Sequence, residues 1–121
     1  FFFGADMAAG GSEWVIPVVA VDEAGKSYWS SMTIPLGASG GANSIGALSE
    51  VMKVTTMQIR ETPGDYKFDW HCAPRKQFIV NLDGAVDVEV SDGTRKVVSA
   101  GEMFFVEDTW GTGHLSRAVN G

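Results

Sequence analysis

The chain has 121 residues, of which 45% are hydrophobic and 20% charged, and its formal net charge is −6 at pH 7. This length and composition predict one globular domain with its own core, and the single cysteine, Cys72, excludes an internal disulfide. The few basic residues form no stripe that would neutralise phosphates, so nucleic acid is excluded as a partner, and no apolar run reaches the roughly 20 residues of a transmembrane helix.

Residues 1–25 are interpreted as an N-terminal extension or arm. They begin with Phe1, Phe2 and Phe3 and lack an initiator Met. Three exposed phenylalanines would make a free monomer aggregate, so we expect them to pack on the domain, on a second copy or on a larger partner. The apolar stretch 14–21 is typical of a strand, and Pro17 indicates an edge strand or an extended arm because proline has no N–H to donate.

The next segments alternate between strand and loop patterns. Residues 26–36 predict a strand, 37–46 a loop rich in Gly and Ser, and 47–52 a short helical turn. Residues 53–60 alternate Val54, Thr56 and Gln58 with Thr55, Met57 and Ile59, which predicts a further strand.

The second half of the chain consists of short β-patterned stretches separated by turn residues. Asp83-Gly84 and the segment 91–94 are both predicted as hairpin turns. Short strands with turn signals about every 8 to 12 residues are typical of a β-sandwich or barrel. The predicted strands are 66–71, 77–82, 85–90, 95–98, 103–106 and 114–119.

The chain's two histidines mark a candidate site. His71 lies in the segment Trp70–Gln77, and His114 ends the segment Glu107–His114. Each histidine is at the edge of a predicted strand. We therefore expect the two imidazoles to meet across one group of strands.

These segments resemble the motifs of the cupin superfamily, whose members are jelly-roll β-barrels, also called double-stranded β-helices. In the first motif, His71 matches the second histidine, Asp69 lies near the first, and Gln77 stands where a Glu is expected. In the second motif, Gly111 precedes the matching His114. The resemblance covers residues 26–121 and implies an all-β cupin-like barrel there.

The likeness is closest to small single-domain cupins that carry Trp-His-x-Ala-Pro-x-x-Gln and Glu-Asp-Thr-x-Gly-x-Gly-His segments. Cupins include enzymes, storage proteins and non-catalytic binding proteins, so the fold does not select a reaction. Whether the chain is an enzyme stays open.

A cupin metal site uses three histidines and one carboxylate, which suits Fe, Mn, Ni or Zn as divalent ions. The resemblance implies His71, His114, Asp69 and Gln77 as the ligands here, although an amide is a poor ligand for a transition metal. The alternative is a pocket without metal, in which the two histidines are hydrogen-bonded and one of them carries a proton. A divalent metal is therefore a possible cofactor, and its absence is equally compatible with the sequence.

Further candidates flank the histidines. Neighbours on a strand face opposite sides, so only one of Glu107 and Asp108 can line the pocket. Glu107 is the candidate for that place, and with His71 and His114 it completes the set of candidate catalytic residues. Asp108 is interpreted as a turn cap. Arg117 either clamps an anionic ligand or forms a structural ion pair. The candidate ligand-binding residues are Gln77, Trp110 and Arg117.

Two interpretations of function follow. In the first, the chain is a cupin that binds a small-molecule ligand at His71 and His114. In the second, it is an accessory or structural subunit of a larger assembly with a degenerate pocket, an idea suggested by the missing metal ligands and the aromatic start. Either is compatible with a homodimer. We expect a soluble protein of unknown compartment, intracellular or in an organelle after loss of a targeting peptide.

Overall fold

The structure, a computed structural model, describes residues 11–37 and 46–119; the side chains of 11 and 12 are not described. The predictions made for Phe1 to Phe3 and for most of the Gly-rich loop therefore lie outside the described residues. The described chain has strands and no helix, so the predicted all-β class is confirmed. Its strands are β1 (Gly11–Val21), β2 (Ser27–Gly37), β3 (Leu48–Ser49), β4 (Lys67–His71), β5 (Gln77–Val80), β6 (Val86–Glu89), β7 (Arg95–Val98), β8 (Met103–Val106) and β9 (His114–Ala118).

The described strands form two sheets. The order of the five-stranded sheet is β3-β2-β1-β8-β5, and the order of the four-stranded sheet is β4-β9-β6-β7. β1 runs parallel to β8, whereas β5 pairs with β8, and β6 with β7 and β9, in antiparallel fashion. In the described residues no helix is long and apolar enough to cross a membrane.

The structure corrects the prediction for β1, which lies inside its sheet between β2 and β8 and not at an edge. The strand is buried on both faces: Val19 is fully buried on one, and Ile16 and Val18 are nearly so on the other. Burying such a side chain contributes about 1.5–3 kcal/mol, whereas one hydrogen bond contributes a net of about 0.5–1.5 kcal/mol. The burial of several side chains therefore stabilises β1 by more than the one backbone hydrogen bond that Pro17 cannot donate would contribute.

The described chain divides into two compact units. The first comprises residues 16–31 and 62–119, and the second comprises residues 11–15, 32–37 and 46–61. Part of the predicted 1–25 arm, from Ile16 onward, thus belongs to the first unit together with the later strands. The core of this unit is supplied by both sheets and contains Val19, Ala73, Val88, Val90, Val98, Phe104 and Val106.

Two predictions for the second unit are wrong. Where a helical turn was predicted, β3 pairs antiparallel with the end of β2, with Leu36 opposite Ser49. Residues 53–60 form no strand within the described chain, and every residue from 50 to 65 is exposed. A β-pattern specifies which side chains alternate, but a strand also needs a neighbouring strand to take its backbone hydrogen bonds.

The turn at Asp83-Gly84 also differs from its prediction. Gly84 has the expected positive φ of 69°. However, β5 and β6 on either side of it belong to different sheets, so the turn is a connection between sheets and not a hairpin. The segment 91–94 does join two paired strands, β6 and β7, and that predicted hairpin is confirmed.

Candidate functional site

The structure brings the two histidines together across one pair of strands. β4 and β9 are antiparallel, and after an irregularity in β4 their register places His71 opposite His114. The ring centroids are 4.4 Å apart and the ring planes are tilted by 56°. Ser116 follows His114 by two residues and so shares its face of β9, where its hydroxyl is hydrogen-bonded to that of Tyr66.

His114 is held by a buried carboxylate. Its Nδ1 lies 2.6 Å from Oδ2 of Asp108, which is fully buried, and His114 itself is only 6% exposed. An ionised carboxylate can only accept, so the hydrogen of this bond is on Nδ1. Oδ1 of Asp108 has no hydrogen-bond partner within the described part of the chain. The bond to His114 is therefore the main compensation for burying this carboxylate.

His71 is oriented in the same way by a backbone group. Its Nδ1 lies 2.7 Å from the carbonyl oxygen of Asp69, and a carbonyl oxygen can only accept. The Phe68 ring stacks on the imidazole, with centroids 3.8 Å apart and planes within 9°. Both imidazoles thus carry hydrogen on Nδ1, and in the neutral form of each ring the lone pair is on Nε2.

Glycine allows the close approach that sets the histidine register. Gly113 has a φ of +77°, and a Cβ there would lie 2.1 Å from the carbonyl oxygen of His71. Its own carbonyl oxygen accepts a 2.6 Å hydrogen bond from the buried hydroxyl of Ser27. The Gly-x-Gly-His segment therefore requires glycine immediately before His114 for a steric reason.

The acid that contacts His114 is Asp108, for which the sequence predicts only a turn cap, and not the predicted base Glu107. Glu107 is half-buried, and its backbone N–H donates to the carbonyl oxygen of Val19. The sequence signal for this contact is an acid six residues before His114, with a Gly-rich turn between them. Such a turn brings Asp108 back towards His114.

Arg117 lies on the other face of β9 from His114. It is paired with Asp87 (Nε to Oδ2, 3.2 Å) and with Glu89, and Asp87 is also bound by the guanidinium of Arg95. Asp87 is nearly fully buried beneath these arginines. Hydrogen bonds from Arg95, and secondarily from Arg117, lower the pKa of Asp87 against the opposing effect of burial, and Asp87 in turn raises the pKa of Arg95. Arg117 is thus part of an ion-pair network on the face away from the histidines.

Trp110 lies in the turn before the histidine. Its side chain is 52% exposed, and its ring packs over Gly25, where an added Cβ would meet the ring at 3.1 Å. Cys72 is half-buried and donates from Sγ to the carbonyl oxygen of Gly111 at 3.2 Å. Both side chains border the turn that leads into His114.

The other two implied metal ligands are placed differently from the histidines. The Asp69 carboxylate is exposed and accepts from the N–H of Trp70 at 2.9 Å, and Gln77 lies on β5, in the five-stranded sheet. Within the described ranges, no three His, Cys, Asp or Glu side chains are grouped to hold a metal ion. The described residues therefore do not assemble the four-ligand set, although both histidines have the Nδ1 anchor that metal-binding imidazoles use.

Comparisons of the chain with known protein families, with curated proteins and with solved structures find no match.

Proposed function

We propose that the chain is a small-molecule-binding domain of the cupin type, whose ligand binds at the His71–His114 pair and exchanges a proton with it. The observation that supports this most is the 2.6 Å bond between His114 and the fully buried Asp108. A buried carboxylate is costly, and at this position it accepts a hydrogen bond from an imidazole and fixes the orientation of that ring.

The chemistry follows from the fixed tautomers. The Nε2 lone pair of His114 accepts a proton from a ligand O–H or N–H, and the imidazolium so formed is stabilised by Asp108 at Nδ1. His71 is only half-buried, so it can pass the proton on between the buried imidazole and solvent. The ligand class is a polar molecule with an ionisable group, and Phe68, which stacks on His71, offers apolar surface beside the pair.

A metal-dependent site is the second candidate. Anchoring of a histidine at Nδ1 by an oxygen acceptor is how proteins prepare Nε2 for a metal, and both His71 and His114 have such an anchor. A divalent ion held by these two imidazoles would take its remaining ligands from water or from the small molecule. The chain would then bind the ligand through that ion.

NMR of protein labelled with ¹⁵N in histidine tests the proposal, because the two rings give separately assignable signals. Mixtures of small carboxylic acids, amines and sugars are added to metal-free protein. We expect a ligand that shifts both imidazole signals and that is no longer bound by His71→Gln or by Asp108→Asn. Arg75→Gln, an exposed change outside the histidine pair, is the control and should bind normally.

The same samples separate the alternatives. Uptake of about one Fe, Mn, Ni or Zn per chain, lost in His71→Ala, would favour the metal site. If neither small molecules nor metal ions perturb either imidazole, the binding function is wrong and the accessory-subunit interpretation is favoured.

A further inference from the structure

The segment Val51–Arg60 is apolar and extends into solvent. Val51 is 91% exposed, and Met57 and Ile59 are each 82% exposed. Among the described residues, no backbone hydrogen bond involves residues 51–62. A segment rich in β-branched and apolar residues, whose peptide groups pair with no other described residue, is a template for pairing with another chain.

We propose that Val51–Arg60 is a β-strand that is completed by a second copy of this chain. In this arrangement the two segments run antiparallel across a two-fold axis at Thr55. The pairing is independent of the proposed function, because it uses no residue of the histidine site. It supplies the neighbouring strand that the alternating pattern of residues 53–60 predicts and that the described single chain does not provide.

The side-chain pattern fits a two-fold pairing. Antiparallel strands related by a two-fold axis through Thr55 place Val51 of one copy opposite Ile59 of the other. Among the described residues, the three most exposed apolar side chains, Val51, Met57 and Ile59, are all odd-numbered, so they share one face with Thr55. Lys53 lies on the same face and comes opposite Met57 of the other copy, where its aliphatic stem covers the apolar side chain. Two-fold pairing doubles this apolar face and supplies direct cross-strand contacts.

Charge also favours a second copy as the occupant. The segment carries Lys53 and Arg60 and no acid, a charge of +2, so the rest of the chain carries −6 − 2 = −8. The two-fold register at Thr55 places Arg60 of each copy opposite Glu50 of the other, which forms an opposite-charge cross-strand pair at each end of the paired segments. These pairs offset part of the repulsion between two chains of net charge −6.

A groove lies where the partner's apolar side chain would arrive. It has a volume of about 410 Å³ and lies at the start of the segment. Because Val51 lines it, the opposing Ile59 from a second copy would reach the same place. The residues that line the groove are Pro35, Leu36, Gly37, Leu48, Ser49, Glu50 and Val51.

Sedimentation velocity over a range of protein concentrations tests the pairing. We expect a dimer for the native chain and at least a tenfold increase of the dimer dissociation constant for the double variant Met57→Glu, Ile59→Glu. The matched control is Leu82→Glu, because Leu82 is similarly exposed, at 78%, but lies outside the segment. Circular dichroism should show that the double variant is folded, since these side chains are exposed. A native chain that stays monomeric, or a double variant that still forms the dimer, would overturn the proposal.

Cross-linking tests the register. Two opposed residues of an antiparallel pair have Cα atoms about 4.5–5.5 Å apart, which is within the range that a disulfide spans. In a Cys72→Ser background, Thr55→Cys should give a disulfide-linked dimer on mild oxidation. Thr94→Cys, exposed in the β6–β7 turn, should not cross-link. Equal cross-linking of the two variants, or none at Thr55→Cys, would overturn the two-fold pairing.

Discussion

Asp108 is a buried acid with a single hydrogen-bond partner for its side chain in the described chain, and this makes the strength of its bond to His114 measurable. In Asp108→Ala the Nδ1–H of His114 loses its acceptor in a buried position. A charge-assisted hydrogen bond of this kind contributes about 1.5–3 kcal/mol, and relief of the buried carboxylate offsets part of it. We expect the free energy of unfolding to fall by about 1–3 kcal/mol in urea denaturation.

The matched control for that change is Asp83→Ala, an exposed position in a turn, which should alter stability by less than about 0.5 kcal/mol. A second measurement reports the bond directly: ¹⁵N NMR should show His114 protonated at Nδ1 in the native chain and a mixture of tautomers in Asp108→Ala. Unchanged stability together with an unchanged tautomer would show that the carboxylate does not hold the ring.

Substitutions of two glycines distinguish the energetic cost of a steric contact from the cost of backbone strain. Gly113 and Gly93 have similar positive φ values of +77° and +87°, but only Gly113 faces backbone, with 2.1 Å between a built Cβ and the His71 carbonyl oxygen. Gly93→Ala should cost about 1–2 kcal/mol from φ alone. Gly113→Ala should cost more than about 3 kcal/mol, or prevent folding, because backbone must also move. Thermal unfolding measures both, and equal losses would contradict the close approach.

At the scale of elements, the outer face of β6 and β9 is held by the network around Asp87. Arg95 and Arg117 lower the pKa of Asp87 below the ordinary value of about 3.9. The unfolded chain therefore takes up the proton first as pH falls. The stabilisation is fully present above pH of about 4 to 5 and is lost as pH falls through the folded pKa.

Asp87→Asn should remove that contribution. We expect the variant to be less stable than the native chain at pH 6 and the difference to shrink as the pH is lowered below about 4. Urea denaturation at several pH values measures this, with the exposed Asp83→Asn as the control. A difference that does not depend on pH would show that packing, and not the charge of Asp87, accounts for the loss.

The elements that the sequence predicts well are those with local turn signals. The strands from residue 66 onward appear close to their predicted bounds, and residues 95–98 and 103–106 match β7 and β8. The interior position of β1 cannot be predicted from the sequence, because burial on both faces is a property of the whole sheet and Pro17 is only a local signal. The bond between Asp108 and His114 was missed for a similar reason, since it depends on how the turn before β9 folds back.

The two units of the described chain differ in how deeply their apolar side chains are buried. This difference indicates which unit is affected when two copies associate. In the first unit Val88 and Val106 are about 1% exposed, whereas in the second Val51, Met57 and Ile59 are over 80% exposed. Such exposure is uncommon for several apolar residues in one monomer. The second unit is therefore the place where a change of assembly state should have its largest effect.

Limited trypsin digestion measures this effect, because the enzyme cleaves after Lys53 and Arg60 in the exposed segment. At low protein concentration both sites should be cut rapidly, whereas Arg95 and Lys96 on the paired strand β7 should resist as an internal control. At high protein concentration and the same trypsin concentration, pairing of the segments should slow cleavage at Lys53 and Arg60 relative to cleavage at the control sites. Cleavage in the segment that does not slow with concentration would show that its backbone stays unpaired, which contradicts a strand shared between two copies.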